Sequence, residues 1–160
     1  MNEKQLFEEN PIFNHFYWMN QIPRCSGQEK AISDALVAWG KEKNLKTAQN
    51  EAGNVLIIKP ASPGLESAPR VVLQGHMDMV CVKDKGNTHD FTCDPIEMEE
   101  MDGWLTAKGT TLGADDGIGV AMALALLEEE MNLPEIRVVV TTDEEEGMLG
   151  VMTLDHSWLD

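Results

Sequence analysis

Apolar positions along the chain follow helical spacing in some stretches and β-spacing in others. Behind Asn10-Pro11, a capping side chain followed by proline at the first helical position, Ile12, Phe13, Phe16 and Met19 share one helix face, and Pro23 marks the end. A second stripe, Ile32, Ala35, Leu36 and Trp39, follows Ser26-Gly27-Gln28-Glu29, which reads as a capping box, and Asn44 is its stop. Ala52-Gly53 is the turn between two short strands, the second spanning residues 54–59, and residues 60–69 form a loop rich in Pro, Ser and Gly. Residues 71–75 read as a short buried strand running straight into His76-Met77-Asp78. Residues 83–102 are irregular and acidic, and residues 104–106 form an edge strand. Residues 116–130 are a helix apolar nearly all round, which places it inside a larger protein. Residues 136–142 are a β-branched strand that ends in Asp143-Glu144-Glu145-Glu146-Gly147. Helices alternating with strands predict an α/β fold with a mixed β-sheet flanked by helices.

Length and charge narrow this picture. A chain of 160 residues, 42% of them hydrophobic, suffices for one domain. Its formal charge of −16 repels nucleic-acid backbones and anionic membranes, so neither is expected as a partner. The same charge suits a well-solvated surface or carboxylates gathered around cations. The longest apolar run is the eight residues 120–127, far short of the roughly 20 that span a bilayer. The opening MNEKQLFEEN lacks the basic-then-apolar layout of an export signal, and a cytoplasmic protein is expected. Cys25, Cys81 and Cys93 show no CxxC spacing, which predicts reduced thiols and no disulfide framework or zinc ribbon.

Three clusters carry candidate chemistry. His76-x-Asp78 follows a strand, and residues two apart in extended backbone point the same way. Such a pair can be an ordinary hydrogen bond, or an imidazole binding a cation while the carboxylate orients its second nitrogen. Gly113-Ala114-Asp115-Asp116-Gly117 opens the apolar helix; one aspartate serves as a cap, but two flanked by glycines also suit a carboxylate aimed at a cation. Asp143-Glu144-Glu145-Glu146 reads as a solvated acidic turn or, at the carboxyl end of a strand, as part of a ligand site. Carboxylate oxygens with one imidazole suit zinc, cobalt or manganese.

The three clusters in this order, with the segments IPRCSGQEKAISDALVAWGKEKNL, NEAGNVLI, VVLQGHMDMVCVKD and GTTLGADDGIGVAMALALLE, resemble the zinc-dependent amidohydrolase and peptidase superfamily. That superfamily includes carboxypeptidase G, the succinyl-diaminopimelate desuccinylases, tripeptidase T and carnosinases, and the similarity is greatest to its aminoacyl-histidine dipeptidase branch. The resemblance implies the N-terminal part of a zinc-peptidase catalytic domain spanning residues 1–160, with two divalent ions, zinc foremost and cobalt or manganese as alternatives. It implies that His76 ligates one metal, Asp78 orients His76, Asp115 bridges both metals, Glu144 is the general acid/base and Glu145 ligates the second metal. Asp116 could bridge in place of Asp115, and the choice of Glu144 over Glu146 depends on how the DEE-x-G pattern is aligned. His15, His89 and His156 match no ligand position.

The implied activity is hydrolysis of small peptides, preferentially Xaa-His dipeptides, by an enzyme that is a homodimer at full length. The family pattern has a further carboxylate some twenty residues past DEE, a far C-terminal histidine and a lid domain, and this chain reaches none of them. A non-catalytic fragment that binds metal weakly, and the same chemistry on an N-acyl amino acid, are the alternatives.

Overall fold

The computed structural model describes residues 3–160, with side chains from Leu6 onward. Residues 1 and 2 of the opening decapeptide lie outside the described residues. The elements in order are α1 (Glu3–Glu9), α2 (Pro11–Asn20), α3 (Lys30–Glu42), β1 (Lys46–Gln49), β2 (Val55–Lys59), β3 (Val71–His76), β4 (Met98–Met101), β5 (Trp104–Ala107), α4 (Ala114–Glu128) and β6 (Ile136–Thr141). Two 3₁₀ turns, Val151–Thr153 and His156–Trp158, follow.

A four-stranded sheet of order β1-β2-β6-β3 carries the fold. The β1/β2 and β2/β6 pairs are antiparallel, whereas β3 and β6 run parallel, so the sheet is mixed as expected. Alternate residues of β2 serve opposite faces, and both faces are covered: Val55 and Ile57 pack with Met19, Ile32, Leu36 and Leu124 from the helices. Leu56 and Ile58 pack with Val139 and Trp158 beneath the C-terminal turns. Complete burial of a side chain such as Ile57 is worth roughly 2 kcal/mol.

The α2 start follows its sequence signal: the Asn10 side chain accepts hydrogen bonds from the Ile12 and Phe13 amides, with Pro11 at the first helical position. The α3 start does not. Its capping residue is Glu29, which makes no side-chain cap, because Ser26 and Glu29 are engaged elsewhere, as described below. Helix α1 lacked a periodic apolar signal. The irregular stretch also conceals β4, which pairs with β5 through an Asp102-Gly103 turn with both residues at positive φ, the geometry of a two-residue hairpin.

Three further expectations are corrected. The strand at 71–75 is the edge of the sheet rather than a buried strand, and Val71 is 39% exposed. Helix α4 is not buried all round: Leu124 and Val120 face the sheet core, while Met122 on the other side is 54% exposed. Cys25 and Cys81, expected as reduced thiols, form a disulfide. A parallel bridge between Cys25 and Met79 lays the two segments side by side and brings the cysteine Cα atoms to 5.6 Å across 56 residues of sequence. Linear spacing carries no trace of such long-range contacts. Cys93 is free and exposed.

Candidate metal centre

Parallel pairing of β3 with β6 sets His76 directly opposite Thr141, so both strands release their chains at the same end of the sheet. The segment after β3 supplies Asp78, and the turn after β6 supplies Glu144 and Glu145. Helix α4 packs across β3 and delivers Asp115 from its first turn. Ligand sites at the carboxyl ends of strands are a general consequence of this topology.

The two ring nitrogens of His76 have different surroundings. Nδ1 lies 3.1 Å from the Asp78 carbonyl oxygen and 3.3 Å from Asp78 Oδ1. Nε2 lies 3.1 Å from Asp115 Oδ1 and 3.8 Å from Glu144 Oε2. Donor atoms of His76, Glu144 and Glu145 all fall within 4.8 Å of one another. Burial disfavours a charged imidazole here, yet hydrogen bonds to Asp78 and Asp115 and the charges of Asp78 and Glu144 outweigh it and raise the His76 pKa to about 9. The cluster therefore draws positive charge to this imidazole.

Asp78 is completely buried and is the hub of the arrangement. Its carboxylate accepts from Ser26 Oγ at 2.8 Å and from the amides of Glu144 and Glu145 at 3.1 and 3.2 Å. Burial pushes its pKa up, but these bonds and His76 prevail and hold it at about 2. One ionised group thus orients the imidazole and fixes the backbone that presents both glutamates.

The turn carrying those glutamates is braced from the other side. Asp143 adopts a left-handed conformation (φ 51°), and its amide donates to Glu29 Oε1, which also accepts from Gly27. Burial, opposed by these amide bonds, pushes the Glu29 pKa up. Ser26 and Glu29, the pair read as a capping box, serve the site instead of the helix. Sequence spacing alone could not reveal this, because S-x-x-E suits either use.

Asp115 and Asp116 go different ways. Asp115 is exposed and faces Nε2 of His76. The half-buried Asp116 carboxylate sits between β3 and α4, where it accepts from the backbone amides of His76 and Gly119. Burial pushes its pKa up. A Cβ at Gly75 or at Gly119 would overlap the Asp116 carboxylate oxygens, so the glycines around it make room for a buried side chain. The peptide between the two aspartates is cis. Glu145 is exposed at the rim, burial and neighbouring carboxylates together pushing its pKa up, and Glu146 points to solvent outside the cluster.

The other histidines lie elsewhere. His15 is buried against Glu128 at 2.8 Å, His89 stacks edge-on with Phe91, and His156 begins the last 3₁₀ turn. Among the described residues no helix is long and apolar enough to cross a membrane.

Known proteins resemble this chain in both sequence and fold. The chain is 41% identical over 160 residues to the cytosol non-specific dipeptidase of Escherichia coli, an alignment covering 99% of this chain and 33% of that protein. It is 34% identical over 123 residues to a probable succinyl-diaminopimelate desuccinylase of Staphylococcus aureus, covering 75% of this chain and 28% of the other. The crystal structure of aminoacylhistidine dipeptidase from Vibrio alginolyticus superposes with a TM-score of 0.93 at 42% identity, again over 99% of this chain and 33% of that one. The chain thus spans about a third of the length of these relatives. Residues 72–158, which hold His76, Asp78, Asp115, Glu144 and Glu145, match the model of peptidase family M20/M25/M40, and the chain belongs to that family.

Proposed function

We propose that this chain is the N-terminal part of the catalytic domain of a metal-dependent dipeptidase, and that Xaa-His dipeptides are among its substrates. The observation that carries this reading is a single imidazole nitrogen, His76 Nε2, facing the Asp115 and Glu144 carboxylates while Asp78 occupies the other ring nitrogen. One neutral-capable nitrogen among hard oxygen donors is a donor set suited to zinc, cobalt or manganese, and the carboxylate behind Nδ1 is the usual outer partner of a metal-binding histidine. His76 and Asp115 would hold one divalent ion, and Asp115 and Glu145 a second, with Asp115 shared. Bound there, the ions supply Lewis-acid polarisation of a peptide carbonyl and lower the pKa of a water molecule towards about 7 in the case of zinc.

The chain's own groups do the rest. Glu144, half-buried beside Nε2, takes the proton from the attacking water and returns it to the leaving amine as the C–N bond breaks. Asp78 keeps the imidazole tautomer and the Glu144–Glu145 backbone in register throughout. The relatives support a dipeptide substrate, and two of them, a cytosol non-specific dipeptidase and an aminoacylhistidine dipeptidase, favour broad dipeptide hydrolysis that includes Xaa-His. Similarity to a cytosol dipeptidase favours a cytoplasmic enzyme, and a homodimer at full length is part of the same reading.

Glu144→Ala in the intact protein tests the mechanism: turnover of an Xaa-His dipeptide falls on the order of 10²–10⁴-fold, as for loss of a general base, while zinc content is retained. Near-normal turnover overturns it. The similarity to a desuccinylase favours a second reading, removal of an acyl group from an N-acyl amino acid by the same residues. Parallel assays with Xaa-His dipeptides and N-succinyl amino acids separate the two.

A further inference from the structure

Arg24 has no place in the chemistry above, yet it is 2% exposed and ranks among the largest fully buried side chains of the protein. A guanidinium cannot be buried without partners, because loss of hydration costs several kcal/mol. The partners here are main-chain groups of the two segments that form the metal centre. Nη1 donates to the carbonyl of Met77, the residue between His76 and Asp78, at 3.1 Å. Nη2 donates at 2.7 Å to the carbonyl of Gly113, two residues before Asp115, and at 2.8 Å to Asn20 Oδ1. The Arg24 carbonyl accepts from the Met79 amide at 3.0 Å, so the same residue also holds the segment beyond Asp78.

The surroundings are shaped around this side chain. A Cβ at Gly113 would overlap Nη2, and one at Gly117 would lie 2.8 Å from it, so both glycines of the aspartate turn leave space for the guanidinium. Burial lowers the Arg24 pKa to about 10, opposed by the charge of Asp78, and the group remains cationic at neutral pH. Nε is buried without a hydrogen-bond partner, which shows that the head group is placed for its terminal nitrogens.

We propose that Arg24 is a positioning residue of the metal centre, tying the His76–Asp78 segment to the Asp115 turn so that imidazole and carboxylate meet one ion at fixed separation. This inference rests on the metal-centre reading. The two segments meet through side chains at His76 Nε2 and Asp115 Oδ1, and the fork of one guanidinium ties their main-chain carbonyls. A lysine cannot reproduce it, since one ammonium nitrogen cannot set two donors as far apart as Nη1 and Nη2.

The test uses the intact protein, with zinc affinity measured by competition against a chromophoric chelator and the visible spectrum of the cobalt-loaded protein reporting ligand geometry. Arg24→Met and Arg24→Lys are compared with Ile57→Val, a core deletion in β2, outside both segments. The expected result is a zinc Kd raised at least tenfold and a displaced cobalt absorption in both arginine variants, with Ile57→Val within twofold of the parent. A Kd within twofold of the parent in a folded Arg24→Met, or an equal loss in Ile57→Val, overturns the proposal. Should the arginine variants not fold, Gly117→Ala, which crowds Nη2 from the opposite side, is judged by the same limits. His76→Ala separates the two levels: if it leaves zinc binding intact, the metal-centre reading itself fails, whereas loss there with none at Arg24 removes only the positioning role.

Discussion

Replacing Asp78 by asparagine keeps the size of the side chain and removes its charge and half of its accepting capacity. The Asp78 carboxylate accepts from Ser26 and the Glu145 amide at Oδ2, and from the Glu144 amide at Oδ1, where His76 Nδ1 also lies 3.3 Å away. An amide nitrogen at either position faces donors it cannot satisfy. The magnitude follows from the ionisation: Asp78 is fully buried, and its pKa falls from an ordinary 3.8 to about 2, which corresponds to about 2 kcal/mol of preference for the charged form. The sign is that of a depressed acid. The stabilisation is present above the unfolded-state value near 3.8 and is lost as pH falls through about 2. Loss of charge-assisted bonds, roughly 1.5–3 kcal/mol each before relaxation, sets a comparable scale. The Glu144 and Glu145 amides should then exchange with deuterium about thirtyfold faster at neutral pH in Asp78→Asn, the kinetic equivalent of about 2 kcal/mol. Zinc affinity should fall by about 10–100-fold. Amide exchange within threefold of the parent, with zinc binding unchanged, would refute the view that Asp78 organises the glutamate turn.

Three further outcomes are expected. Asn10→Ala should destabilise the protein by about 1 kcal/mol, read from denaturant midpoints, because it leaves the Ile12 and Phe13 amides uncapped. Non-reducing peptide mapping should recover Cys25 and Cys81 in one linked pair with Cys93 free to alkylate, and Cys81→Ser, which opens a crosslink spanning 56 residues, should cost up to about 4 kcal/mol. Glu128 is pushed up by burial but held below its ordinary 4.5 by Lys43 and His15, at 2.7 and 2.8 Å; this stabilisation is present above 4.5 and lost as pH falls below it. Melting temperatures of Glu128→Gln should therefore fall less steeply on acidification than those of the parent, by an amount corresponding to less than about 1 kcal/mol.

What could be read from the sequence was whatever depends on near neighbours. Asn10-Pro11 and its apolar stripe mark α2 because cap, proline and periodicity act within four residues. The β-branched run of β6 is legible because its side chains are buried on both faces of the sheet. The apolar run marks strand β3 but not its depth: it does not say whether a second strand lies alongside, and here only β6 does. The five candidate site residues stand out through type, spacing and resemblance. The residues that hold them did not. Ser26, Glu29, Asp116 and Arg24 act across sequence separations of up to 114 residues, through backbone amides and carbonyls that leave no pattern in side-chain identity.

Asp116 shows how a motif with two equal letters divides its work. Both aspartates sit in the first turn of α4, where the helix dipole favours negative charge, so electrostatics alone does not distinguish them. Burial does. Asp115 is exposed and free to meet an ion beside Nε2, whereas Asp116 is half-buried and committed to the amides of His76 and Gly119. Its neighbours confirm the commitment, since Gly75 and Gly119 exclude any side chain that would compete for its space. The second aspartate therefore holds the imidazole's backbone from behind, as Asp78 holds its ring and Arg24 the carbonyl of the next residue, Met77. Buried Asp78 and Arg24 and half-buried Asp116 brace the segments that carry His76 and Asp115, and the charge gathered at the strand ends is accounted for by position as much as by the ions it would bind.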